Sequence, residues 1–378
     1  MKFSCSKESL LKGINTIGHL ALKTTSLPIL NNILLKTEKN LLTLTTTNLE
    51  AGIHHEIGGK TEETGECLVP AKLLLELAPL LPNGTIELNT NNNNLTITGE
   101  KINTTLRTAP TAEFPTIPTI ENSTNKITIQ TTQLIEALNK TIFAIGRVDN
   151  RPQFGGVLFT VNEGNKQQLI IAATDGYRLS ELSVSINKPN KSFKFIIPLT
   201  TAQEIRRILT QDEEQTNETV DLEATENQVN LTIGPTQIIS RLIDGDYPDY
   251  QPLFPEKTLT QCEVGKNELT KAVKAASLFS RSGIFDVSLT ASPDHNLEVF
   301  SENTGIGAHH NVVEAKVSGE KITMTINAKY FLEGLAAVPG EIVKIFMTGA
   351  DRPILLKSNK EKEGEIKFRH LIVLIKQL

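Results

Sequence analysis

The sequence predicts an α+β protein of three similar domains in tandem, and three observations carry that expectation. Two types of helical segment recur at a spacing close to a third of the chain. Period-two alternation of apolar and polar residues fills the stretches between them. Pro-rich stretches fall where a threefold division puts its boundaries. A third of the 378 residues is 126.

The first helical type reads Ser9 to Ile14, Gln133 to Leu138 and Glu268 to Val273, each with apolar side chains on one helical face. Its leucines Leu10, Leu134 and Leu269 stand 124 and 135 residues apart. The second type reads Val69 to Leu77, Ile197 to Ile205 and Ile326 to Glu333. In each copy a strand end is followed by Pro70, Pro198 or Asn327 at a helix start. Those three are spaced by 128 and 129, so two independent markers agree on one period. Leu41 to Thr45, Leu95 to Thr98 and Val229 to Ile233 alternate as half-buried antiparallel strands do. Asn83-Gly84, Glu163-Gly164 and Pro339-Gly340 signal turns, and Asn89 to Asn94 reads as a solvated hairpin tip. The stretches 109–118 and 246–255 are expected to be extended linkers, because proline fixes φ and removes a donor.

Composition narrows the function. With 39% hydrophobic and 21% charged residues, the chain can bury a core. Its 43 acidic against 38 basic side chains give a net charge of −5, which argues against coating DNA by bulk electrostatics but leaves a local basic surface open. Cys5, Cys67 and Cys262 are odd in number and lack ligand spacing, so neither a disulfide framework nor a zinc site is expected, and reduced thiols in a cytoplasm fit best. No apolar signal region follows Met1, and Leu371 to Ile375 is far short of the ~18 residues that span a bilayer, so no membrane role is expected.

A search for catalytic chemistry finds little. No Gly-rich phosphate loop is present, and Gly155-Gly156 precedes a strand. His54-His55 and His309-His310 are adjacent pairs whose side chains diverge on a strand, so a polar strand surface is expected rather than a metal site. Asp175 to Arg178 puts a carboxylate, a phenol and a guanidinium in one turn, without a second convergent acid or histidine. Asp244-Gly245-Asp246 is followed by Tyr247-Pro248 where further metal ligands would be needed. No catalytic residue, metal or cofactor is nominated.

Longer motifs carry a resemblance to a known family. Ala172 to Leu179 resembles the ATDGHRL turn of the bacterial sliding clamps, the β subunits of DNA polymerase III. Arg241 to Tyr250 resembles their segment ending in aromatic-Pro-Asp-Tyr, and Met1 to Phe3, Leu27 to Leu30, Thr47 to Glu50 and Phe114-Pro115 also match. The resemblance runs through the whole chain in register. It implies the DNA clamp fold, with helices on the inner face of an antiparallel-sheet ring and domains at 1–122, 126–251 and 255–378. It implies a non-catalytic processivity factor that forms a homodimer and encircles duplex DNA regardless of sequence. It would tether the replicative polymerase and dock the clamp loader, other polymerases and repair proteins through short peptide motifs.

Carried over by position, the peptide pocket would comprise Phe154, Thr174, Gly176, Tyr177, Arg178, Leu179, Pro248, Leu253, Pro353, Ile354, Ile372, Val373, Leu374 and Ile375. Tyr177 stands where the family often has His, and Leu374 and Lys376 where its tail often has Pro and Arg. The residues expected to face DNA are Lys12, Lys23, Thr24, Lys72, Arg147, Arg151, Arg207, Lys271 and Lys274. Leu278 and Phe279 fall where the dimer contact would be. The alternative reading from the residues alone is a β-rich three-repeat interaction module that does not encircle DNA.

Overall fold

The computed structural model describes residues 1–22, 27–118, 120, 123, 125–146, 151–186, 191–211, 219–294, 296–349, 351–359 and 367–376. Contacts group the chain into two compact units, Met1–Thr132 with Gln203–Leu242, and Gln133–Ala202 with Ile243–Leu378. The central third contributes to both, because strand pairing carries its sheets into the neighbouring thirds.

The first unit holds two antiparallel sheets. A five-stranded one runs Lys60–Glu63, Lys2–Ser6, Thr85–Asn91, Asn94–Gly99, Ile102–Arg107. An eight-stranded one runs Asn125–Gln130, Thr219–Ala224, Gln228–Ile233, Thr236–Arg241, Ala51–Gly58, Leu41–Thr47, Asn32–Glu38, Gly65–Pro70. Its central pairing, Ser240 opposite Ala51, joins strands nearly two hundred residues apart in sequence. Helix α1 (Lys7–Ala21) begins at Ser6, whose hydroxyl accepts from Ser9 N, and buries Leu10, Ile14, Ile17 and Leu20. That stripe recurs every three or four residues and lies on the strands Leu41–Thr47 and Ala51–Gly58, where Leu42, Leu44, Ile53 and Ile57 point inward. Helix α2 (Ala71–Leu77) follows Pro70 directly.

The second unit is built on one twelve-stranded sheet. It runs Phe193–Pro198, Gly156–Val161, Gln168–Thr174, Arg178–Ser185, Lys367–Ile372, Ile354–Ser358, Ile342–Met347, Thr260–Gly265, Gly307–Gly319, Asn296–Asn303, Asp286–Ser292, Ile322–Asn327. In chain order the next helices are α3 (Thr131–Thr141) and α4 (Leu199–Thr210). Helix α5 (Lys266–Ser277) packs on the strands Asn296–Asn303 and Gly307–Gly319 through Leu269, Val273 and Ala276. Helix α6 (Ala328–Ala337) is capped by Asn327, whose side chain accepts from Tyr330 N. Among the described residues the six α-helices start where the two recurrent markers put them, and the fold is of the expected α+β class.

Two expectations need correction. The stretch 246–255 is no spacer: Tyr247 and Tyr250 are buried among Phe154, Leu158, Leu179, Leu355 and Leu371. Tyr247 lies edge-on to Phe154 at 5.7 Å and to Tyr250 at 6.2 Å between ring centroids. Proline still keeps the backbone out of the sheet, but the aromatic residues between the prolines anchor it in the core. His54-His55 is not a polar strand surface either. His55 is buried against Thr236 Oγ1 at 2.8 Å, while His54 meets Thr45 Oγ1 at 2.8 Å. Burial, with the Lys12 charge adding to it, lowers the His55 pKa to about 4. The three cysteines are free thiols, and burial pushes them up to about 11 at Cys5 and about 12 at Cys67 and Cys262.

Candidate docking groove and cationic faces

The turn from Thr174 to Arg178 links two neighbouring strands by side-chain bonds that its sequence dictates. Thr174 Oγ1 donates to Arg178 O at 2.5 Å and accepts from Gly176 N at 3.0 Å. Asp175 Oδ1 accepts from Tyr177 N and Arg178 N at 2.9 and 3.0 Å, leaving its second oxygen for Arg178 Nε at 3.0 Å. Gly176 takes φ +86°, which a glycine adopts without strain. The turn thus projects Tyr177 outward, 65% exposed, and folds Arg178 inward, 8% exposed.

Arg178 is the node beneath the groove. Its guanidinium donates to the Glu333 carboxylate and to Phe143 O, and it lies 4.4 Å from the Tyr330 ring centroid and 5.5 Å from that of Phe143. The sequence nominated it as a pocket residue, but its polar atoms are turned to the chain itself. Its part is to tie the strand Arg178–Ser185 to α6. Phe143, Tyr330 and Glu333 were missed because nothing in their local sequence pairs them with position 178. The helix-start pattern at Asn327 fixed the rotation of α6 but not what its first turn faces.

The last described residues complete the groove. Arg178 pairs with Ile372, Val373 N donates to Tyr177 O at 2.8 Å, and Ile375 N donates to Thr325 O at 2.8 Å. Held at both points, the segment buries Leu374 and leaves Val373 outward. The fourteen nominated residues therefore split. Gly176, Tyr177, Pro248, Leu253 and Val373 are exposed, with Pro353 and Ile375 half-buried, whereas Phe154, Thr174, Arg178, Leu179, Ile354, Ile372 and Leu374 form the supporting layer. The outward members are thus mostly apolar or aromatic, and the inward ones belong to the packed layer beneath the turn.

Across the chain, family models for the N-terminal, central and C-terminal domains of the DNA polymerase III beta subunit match residues 1–118, 128–249 and 251–369. The chain is 30% identical to the beta sliding clamp of Bacillus subtilis over 377 residues, covering 96% of this chain and 97% of that one. The chain belongs to the DNA polymerase III β-subunit family. The beta sliding clamp of Staphylococcus aureus is 26% identical over 94% of this chain and 95% of its own length. The crystal structure of the B. subtilis sliding clamp superposes with a TM-score of 0.91 at 27% identity, covering all of both chains. That of the C. crescentus beta sliding clamp does so with a TM-score of 0.89 at 26% identity, also over both whole chains.

In this member of the β-subunit family the nominated cations fare unequally. Lys72 on α2 and Lys271 and Lys274 on α5 are exposed, and so is Lys12 on α1. Arg207 on α4 is not available: its Nε bonds Glu204 at 2.8 Å and its terminal nitrogens bond Asn15 O at 3.2 Å and Thr16 O at 2.5 Å. It ties α4 to α1. Arg151 lies 5.4 Å from the Phe154 ring centroid, which puts it beside the groove. Lys23, Thr24 and Arg147 lie outside the described residues.

Among the described residues, two strand edges of the β-subunit chain lie in its first and last thirds. Residues 307–314 pair with Asn296–Asn303 on one side only, since Thr260–Gly265 pairs with residues 315–319 on the other. Beside that edge Leu278 is 73% exposed, and Phe279 is half-buried, stacked on His309 at 5.7 Å. The strand Ile102–Arg107 ends the five-stranded sheet, and Leu73 and Leu80 of the same unit are exposed.

Proposed function

We propose that the protein is a DNA sliding clamp whose groove at Tyr177, Leu253 and Val373 docks short peptide motifs of the replicative polymerase, the clamp loader and repair proteins. The observation that carries this reading is the exposed pair Tyr177 and Val373, joined by the Val373 N to Tyr177 O bond at 2.8 Å over buried Arg178, with Leu253 exposed in the stretch whose Tyr247 and Tyr250 lie in the core. Two copies, joined head to tail through Leu278 and Phe279 of one and the first domain of the other, would close a ring around duplex DNA. The domains are assigned to 1–122, 126–251 and 255–378.

The charge balance supports encirclement over adhesion. Tight phosphate contacts release counterions and hold a protein in place, whereas a topological link needs only a few cations on the inner helices. Lys12, Lys72, Lys271 and Lys274 supply exposed ones, and the −5 total keeps the remainder from adhering. Three buried, unpaired thiols accord with a cytoplasmic place of work, and among the described residues no helix is long and apolar enough to cross a membrane.

The test is retention on DNA after clamp-loader treatment, comparing circular with linearised plasmid. Retention on the circle and loss from free ends is expected. Equal retention on both would overturn encirclement, while loss of peptide binding in Tyr177→Ala with normal loading would separate docking from the ring.

A further inference from the structure

The Thr174–Arg178 turn has a twin in the other unit. Thr47 Oγ1 donates to Ala51 O at 2.8 Å and accepts from Leu49 N at 3.1 Å. Asn48 Oδ1 accepts from Glu50 N at 3.1 Å and from Ala51 N at 2.7 Å. Bond for bond this is the same skeleton, with Asn48 in place of Asp175. The neighbouring strand repeats as well, since Arg241 N donates to Glu50 O at 2.9 Å as Val373 N does to Tyr177 O. Leu49 therefore corresponds to Gly176, Glu50 to Tyr177 and Arg241 to Val373.

Two differences give the twin a character of its own. Leu49 is held at φ +72°, where its counterpart is a glycine at +86°, and its side chain is left exposed. A leucine in the left-handed region is strained by its Cβ, and strain of this kind collects where a side chain has a task. The second difference is charge. Leu49, Pro115, Ile117 and Ile239 line a cavity of about 80 Å³, with half-buried Glu50 and exposed Arg241 completing it. That volume is far below the ~300 Å³ at which small-ligand sites begin, so it suits a single aliphatic side chain. Arg241 supplies a fork for one carboxylate.

We propose that this recess is a second docking groove, for an extended peptide that inserts a leucine against Leu49 and Ile117 and presents the carboxylate of the next residue to Arg241. The site is distinct from the Tyr177 groove, and neither needs the other to be occupied.

Methyl NMR of the full-length protein tests this, titrating the capped pentapeptide Gly-Ser-Leu-Asp-Gly against the Gly-Ser-Leu-Asn-Gly control. Saturable shifts at the Leu49, Ile117 and Ile239 methyls are expected, with the Asp peptide at least fivefold tighter. Arg241→Gln should bring the Asp peptide down to the affinity of its control. Leu49→Gly, which keeps the turn and relieves its strain, should abolish the Ile117 and Ile239 shifts. Tyr177→Ala should leave every one of these responses intact, so failure of the Tyr177 groove is read separately. The proposal is overturned by no saturable shift at millimolar peptide, by equal affinity for both peptides, by shifts that survive Leu49→Gly, or by shifts that grow with protein concentration alone.

Discussion

All three nitrogens of the Arg178 guanidinium donate inside the chain, to Asp175, Glu333 and Phe143 O. Removing it leaves three part-buried acceptors, two of them carboxylates, without their donor, which costs about 3 kcal/mol. Arg178→Ala should therefore lower Tm by roughly 6 °C or more in a calorimetric scan and weaken peptide binding as well. Arg178→Lys should not restore either, since an ammonium cannot reproduce the planar fork. Tyr177→Ala, by contrast, should cost peptide affinity about tenfold with Tm unchanged, because its ring is exposed until a peptide covers it. A fluorescence-anisotropy titration beside the thermal scan tells the two roles apart. Histidines give a second prediction at this scale. Burial, reinforced by the Arg178 charge, lowers His370 to about 3, and His55 lies at about 4. Both rings are neutral in the folded chain and bind protons near pH 6.5 when unfolded. The stability they contribute is whole above that pH and is lost as pH falls from 6.5 toward 4, at about 1.4 kcal/mol per pH unit for each ring. Urea midpoints measured between pH 6.5 and 5 should show this slope, and His370→Gln should reduce it.

At the scale of elements, the sequence was legible wherever structure is local. The two helix markers worked because an apolar stripe and a strand-end Pro or Asn are fixed within ten residues, and the Asn89–Asn94 tip because Asn92 and Asn93 tolerate positive φ. The Asp175 turn was visible for the same reason. What stayed hidden is held by partners far along the chain. Arg207 looked like one more cation on a helix face until Asn15 O and Thr16 O took its donors, and the 246–255 stretch looked like a linker because its prolines are local signals while the burial of Tyr247 is not. Helix α6 shows how tight such distant packing is. A Cβ at Gly334 would lie 2.1 Å from His370 Cδ2. Gly334→Ala should therefore destabilise the protein by roughly 1–3 kcal/mol, as overpacking does, despite alanine's better helix propensity, and denaturant unfolding checks the sign.

For the whole molecule the decisive quantity is association. The strand edge at residues 307–314 offers unpaired backbone groups next to the exposed Leu278, a combination that folded proteins rarely leave to solvent. Leu278→Asp should convert a dimer into a monomer of unchanged helix and strand content, read by light scattering with circular dichroism. A wild-type chain that is monomeric at micromolar concentration would overturn the head-to-tail ring. Loading on circular DNA should fall together with the dimer.

The tyrosines have a practical consequence. The chain has no Trp and only four Tyr. Tyr177 is on the groove's surface, Tyr247 and Tyr250 lie in the core beneath it, and Tyr330 is stacked on Arg178. The protein's 280 nm absorption and the emission it excites therefore arise from one neighbourhood. A peptide lacking aromatic residues can be followed into the groove by unlabelled tyrosine emission, and a tryptophan-bearing one by energy transfer, with the rest of the molecule dark at those wavelengths.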